Sequence, residues 1–167
     1  MFHMPGIYKR FYTPRSFFRD LRELVARRSE IRETAQSGRV SRAFAEKIMM
    51  AVTAVNRCRY CARYHARLAL KEGIPPEEIA KILSLDLDDL PQEEAVALAF
   101  AQHWAETEGH PEPDAERRFL ETYGPTVSAD ILNWMRVITM GNLLGNSWEA
   151  LLWRFGIRRS GTRRTGA

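Results

Sequence analysis

The sequence predicts an all-α fold, a compact bundle of about seven or eight helices. Three observations carry this reading. Apolar residues recur every three or four positions through most of the chain. Gly and Pro fall between these periodic segments, where they end one helix and open the next. No run alternates apolar and polar residues as a half-buried strand would, and no internal repeat is evident.

After an irregular N-terminal arm, Phe17, Phe18, Leu21, Leu24, Val25 and Ile31 mark a first helical segment, which Gly38 closes. Ser41 is placed to cap a second helix that buries Phe44, Ile48, Ala51, Val52 and Val55. Asn56 offers a cap or a short turn, and helical spacing resumes from Arg57 to Glu72 before Gly73. Pro75 and Pro76 open a short helix to about Leu83. The acidic stretch Asp86-Leu87-Asp88-Asp89 is a loop leading to Pro91, whose helix carries Val96, Phe100 and Trp104. Glu93 and Glu94 sit in its first turn, where negative charge suits the helix dipole. Pro113 starts another helix ending at Tyr123-Gly124. The apolar segment from Val127 to about Leu144 follows, then a last helix from Ser147 to Phe155; Gly141-Asn142 and Gly145-Asn146 between them are expected to break or bend the chain, with lining of a pocket as the alternative.

At 167 residues the chain has the length of one domain, and 45% hydrophobic with 28% charged residues is an ordinary globular balance. Such a chain buries a core without disulfide staples or a structural metal, so its two cysteines are not required as props. The net charge of +4 is a weak pointer to anionic partners, and nucleic acid is not expected as one. Arg158, Arg159, Arg163 and Arg164 belong to a basic run over 158–167, expected as a solvated tail beside a single domain over 1–157. Met1-Phe2-His3-Met4-Pro5-Gly6 is not a continuous apolar leader, and the apolar run from Ile48 to Val55 is too short to span a bilayer. A cytoplasmic location and no membrane partner are therefore expected. Thiols there are kept reduced, so a close cysteine pair indicates catalysis or metal binding.

That pair is Cys58-Arg59-Tyr60-Cys61. On a helix Cys61 lies ~60° around from Cys58, and His65 falls between the two directions. The imidazole is one turn beyond Cys61, close enough to exchange a proton with a thiol. A position in the first turns of a helix lowers a thiol pKa, as do nearby Arg57, Arg59 and Arg63. The plain structural alternative is two buried cysteines and a core histidine. A zinc site built from Cys58, Cys61, His65 and Glu46 is a further alternative, although a CxxC and a histidine on one helix close a tetrahedron poorly and no second cysteine pair exists.

The stretch from Glu46 through Asn56, Cys58, Cys61 and His65 to Gly73 has the spacing E-x11-C-x2-C-x3-H. It resembles the signature of the alkyl hydroperoxidase D-like family, within the carboxymuconolactone decarboxylase superfamily. The resemblance implies a helical bundle of that type, assembled as a homo-oligomer, a trimer or a hexamer. It further implies a thiol peroxidase, an antioxidant oxidoreductase needing no bound cofactor. Cys61 would attack a hydroperoxide, Cys58 would close the redox-active disulfide, and His65 with Glu46 would relay protons. The reduced pair would be restored by a lipoyl-type or thioredoxin-like dithiol. The helix dipole alone favours Cys58 as the more acidic thiol, whereas proximity to His65 favours Cys61, in agreement with the resemblance. The chain departs from the family at Tyr60, a histidine in some members, and at Arg57, commonly glycine. Members that decarboxylate lactones lack the cysteine pair.

His103 and His110 have no evident chemical partners in the sequence. Trp104, Trp134, Trp148 and Trp153 are expected in core or subunit contacts. The rivals to a peroxidase are a redox sensor without rapid turnover and a zinc-stabilised binding protein.

Overall fold

The computed structural model describes residues 9–88 and 90–155. Residues 1–8 and the basic run at 158–167 lie outside the described residues. Among those described the chain is helical throughout, with seven helices and no strand. They are α1 (Pro14–Ala26), α2 (Arg28–Ser37), α3 (Arg42–Asn56), α4 (Arg59–Lys71), α5 (Pro76–Leu83), α6 (Gln92–Glu106) and α7 (Pro113–Arg154).

The centre of the bundle is α3. Ser41 caps it by accepting from the Phe44 N–H at 3.1 Å, and every residue from Ala45 to Thr53 is buried. Packing α4, α5, α6 and α7 around it explains why this helix is apolar on all sides rather than along one stripe. Ile48, Met50 and Val52 are fully enclosed, each worth roughly 1.5–3 kcal/mol relative to an exposed side chain. Two charged residues interrupt the apolar surface, and each has a partner. Lys47 Nζ lies 2.5 Å from both Glu78 and Glu94, tying α3 to α5 and α6, while Glu46 turns toward α4. Phe100 and Phe119 stack with ring centres 4.1 Å apart where α6 meets α7.

Several boundaries follow the sequence reading. Gly38 and Gly73 have φ of 68° and 84°, the left-handed geometry that ends a helix. Gly124 at φ 69° and ψ 168°, followed by Pro125, breaks α7 into arms over 113–123 and 125–154.

Other boundaries differ. The first segment is two helices, divided at Arg27 (φ −94°, ψ 11°), because α2 must turn to dock on α7. There Thr34 donates to Asp130 at 2.6 Å, Arg39 donates to the same carboxylate from Nε at 2.6 Å, and Asn133 donates to Thr34 at 3.0 Å. The guanidinium holds the Asp130 carboxyl below its usual range. None of α1 is buried, so its apolar stripe is only partly covered, and Phe18 and Val25 are exposed.

The expected break at Gly141-Asn142 and Gly145-Asn146 is absent, and α7 runs unbroken through both pairs. Burial supplies the reason: Asn142 and Asn146 are fully enclosed and hydrogen-bonded to α3, so tertiary contacts override weak helix propensity. The tryptophans divide, with Trp104 and Trp134 against the core and Trp148 and Trp153 exposed. No helix among the described residues is long and apolar enough to cross a membrane.

Candidate active site

The chain between α3 and α4 turns sharply, and the turn places the sulfurs. Asn56 ends α3, Arg57 takes a left-handed conformation (φ 55°, ψ 36°), and Cys58 is the N-cap of α4. Helix geometry therefore begins at Arg59, two residues later than the spacing suggested, and Cys58 stands at the helix mouth rather than within it. Its Sγ accepts from the Cys61 N–H at 3.3 Å, a sulfur version of the usual oxygen cap. Cys58 and Cys61 are joined as a disulfide, with Cα atoms 5.3 Å apart.

The two sulfurs have different surroundings. Cys58 is 1% exposed, while Cys61 is only partly buried. Of the two residues, Cys61 is the less buried. One turn along α4, His65 Nδ1 lies 2.7 Å from Glu46 Oε2, and both side chains are largely shielded from water. With Nδ1–H donating to the carboxylate, Nε2 is left as the ring nitrogen able to take or give a proton. The burial of Glu46 on the central helix is what makes this orientation firm. The four residues singled out in the sequence thus form two pairs on α3 and α4, Cys58 with Cys61 at the turn between the helices and His65 with Glu46 further along them.

The arginines are less uniform in effect. Arg59 is paired with Glu149 at 2.8 Å and lies over the Tyr60 ring at 5.0 Å, so its charge is already engaged. Tyr60 therefore serves as a rest for Arg59. Arg57 is exposed and borders an open recess with Thr53, Cys58, Ala62 and Leu85. His103, expected to lack a partner, faces Glu112 at the start of α7. His110 donates from Nδ1 to the Glu108 carbonyl at 3.1 Å. Among the described residues no group of three or more His, Cys, Asp or Glu side chains is arranged to hold a metal.

The sequence reading left Gly141-Asn142 and Gly145-Asn146 as either a pocket lining or a helix bend, and did not connect them with the sulfurs. A side-chain carbon at Gly145 would stand 2.7 Å from Cys58 Sγ, and the Gly141 carbonyl oxygen is 3.6 Å from Cys61 Sγ. Asn146 donates to the Asn56 carbonyl at 2.8 Å, and Asn142 donates to Thr53 at 3.0 Å. The Asn56 amide is itself buried, with neither end hydrogen-bonded. The available signal was the four-residue spacing of Gly141-Asn142 and Gly145-Asn146, which puts two glycines on one helix face and two asparagines on the next.

Neither the curated proteins nor the solved structures yield a match. The model of the carboxymuconolactone decarboxylase family matches residues 19–103, which include Glu46, Cys58, Cys61 and His65. That stretch is just over half the chain and spans most of α1 through α6, and the protein belongs to the carboxymuconolactone decarboxylase family.

Proposed function

We propose that the protein is a thiol-dependent oxidoreductase that reduces hydroperoxides through Cys58 and Cys61, with His65 and Glu46 as proton relay. One observation carries this reading: a disulfide whose less buried cysteine lies one helical turn from an imidazole oriented by a carboxylate at 2.7 Å. In the reduced protein, Cys61 gives its proton to His65 Nε2 and attacks the distal oxygen of a hydroperoxide. The O–O bond breaks, Cys61 becomes a sulfenic acid, and the alcohol leaves with the proton returned by His65. Cys58 then displaces hydroxide from that sulfur, releasing water and closing the disulfide.

Regeneration uses the same asymmetry. A dithiol of the lipoyl or thioredoxin-like kind attacks the less buried Cys61, and Cys58 departs as a thiolate; the donor's second thiol then displaces Cys61, leaving the donor as its own disulfide and both cysteines reduced. The Cys61 N–H aimed at Cys58 Sγ supports that charge, which makes Cys58 the better leaving group. The helix mouth thus favours Cys58 as leaving group, while His65 favours Cys61 as nucleophile.

The working assembly in this proposal is a homo-oligomer, a trimer or hexamer. Support comes from Leu144, Trp148, Leu151 and Phe155, exposed at helical spacing along the end of α7. The test is a turnover assay pairing several hydroperoxides with dihydrolipoyl, thioredoxin-type and small-thiol donors. Sustained alcohol formation with a dithiol donor is expected, and it should vanish in Cys61→Ser. A disulfide that forms once and supports no turnover with any donor would instead indicate a redox sensor.

A further inference from the structure

We propose that Gly145 is a positioning residue for the cysteine pair: the α7 backbone at Gly145 is the seat that fixes Cys58 Sγ in the disulfide. The inference rests on the redox reading of the pair and extends it to a helix outside the family-matched residues 19–103.

Gly141 and Gly145 both lie inside α7, where glycine costs about 1 kcal/mol relative to alanine. Neither has a left-handed φ, so backbone geometry does not require glycine at either position. The difference between them is in what surrounds the missing side chain. At Gly141 an added carbon would meet nothing within 4 Å, whereas at Gly145 it would stand 2.7 Å from Cys58 Sγ and 3.5 Å from Cys61 Sγ. Ordinary van der Waals contact begins well beyond the shorter of these.

The helix is not free to back away. Asn142 and Asn146, each next to one of the glycines, are fully buried and bonded to Thr53 and Asn56 of α3. Any conflict at Gly145 therefore falls on the sulfur. In the disulfide, Cys58 Sγ is tethered to Cys61 and cannot swing aside. In the dithiol, Cys58 is free to turn about its first side-chain torsion. A methyl group at position 145 thus penalises the oxidised form more than the reduced one.

The exchange is balanced: protein disulfide plus two glutathione gives protein dithiol plus glutathione disulfide. Its equilibrium is read by alkylation and intact mass and needs no hydroperoxide, so absence of peroxidase turnover would leave this test intact. Gly145→Ala should shift the constant toward the dithiol by tenfold or more, about 30 mV for two electrons. Gly141→Ala should leave it within about twofold. As a second measurement, urea unfolding in a Cys58→Ala background should show Gly145→Ala no longer destabilising, since the sulfur it would strike is gone. Equal shifts for the two glycines, no shift for Gly145→Ala, or destabilisation that persists without Cys58 would overturn the proposal.

Discussion

Arg57→Gly tests the turn that presents the sulfurs. Arg57 stands at φ 55° and ψ 36°, where its Cβ crowds the following carbonyl. That conformation costs a non-glycine residue about 1–2 kcal/mol. Glycine removes the crowding but gives the unfolded chain more freedom, which takes back about 0.4–1 kcal/mol. The Arg57 side chain is exposed and makes no hydrogen bond or ion pair among the described residues, so little else is lost. The net expectation is a gain of about 0.5–1 kcal/mol, or about 1–4 °C in Tm for a domain of this size. Urea unfolding of the oxidised protein, with slopes compared between variants, measures it. Arg57→Ala is the control, because alanine keeps the Cβ and should bring no such gain. An unchanged or lowered midpoint for Arg57→Gly, or an equal gain for Arg57→Ala, would refute the strain argument.

His65→Ala should slow thiol alkylation near neutral pH and move its profile upward, Glu46→Gln should do so more mildly, and the double variant should be little worse than His65→Ala. Additive losses in alkylation rate would show that Glu46 and His65 do not act as one unit. Oxidation of the reduced protein should lower its intact mass by about two mass units without forming covalent dimers; intermolecular disulfides would contradict the paired arrangement. Arg39 holds Asp130 ionised below the usual carboxylate range, so this contact favours the folded state above the unfolded value of about 3.9 and fades as pH falls below it. Asp130→Asn should therefore flatten the acid limb of the stability curve between about pH 5 and pH 2, and an unchanged limb would show that Asp130 is not its source.

The helical fold was legible because its signals are local. Ser41, Gly38, Gly73, Pro76 and Gly124 act through caps and backbone preferences that the residue types themselves carry. The four candidate residues stood out for a related reason: Cys58, Cys61 and His65 lie within two turns of chain, and Glu46 precedes them at the spacing E-x11-C-x2-C-x3-H. What stayed hidden depends on contacts between distant parts of the chain. Gly145 reads equally as a helix bend or a pocket lining until the Cys58 sulfur, far away in sequence, is seen against it. Arg27 gives no local sign of ending a helix, since the turn there serves the docking of α2 onto Asp130. The left-handed Arg57 was likewise obscure, because arginine is a poor advertisement for a conformation that glycine adopts freely.

The central claim is that Cys61 is the sulfur that meets the hydroperoxide. Cys58→Ser isolates it: serine keeps the N-cap of α4 and removes the only thiol able to resolve an oxidised Cys61. Reduced Cys58→Ser should react with one equivalent of hydroperoxide to give one equivalent of alcohol and a trappable sulfenic acid on Cys61, located by mass spectrometry after labelling. Reduced Cys61→Ser should react far more slowly. Slow reaction of Cys61 in the first variant with fast reaction of Cys58 in the second would contradict the account and move the nucleophile to the helix mouth.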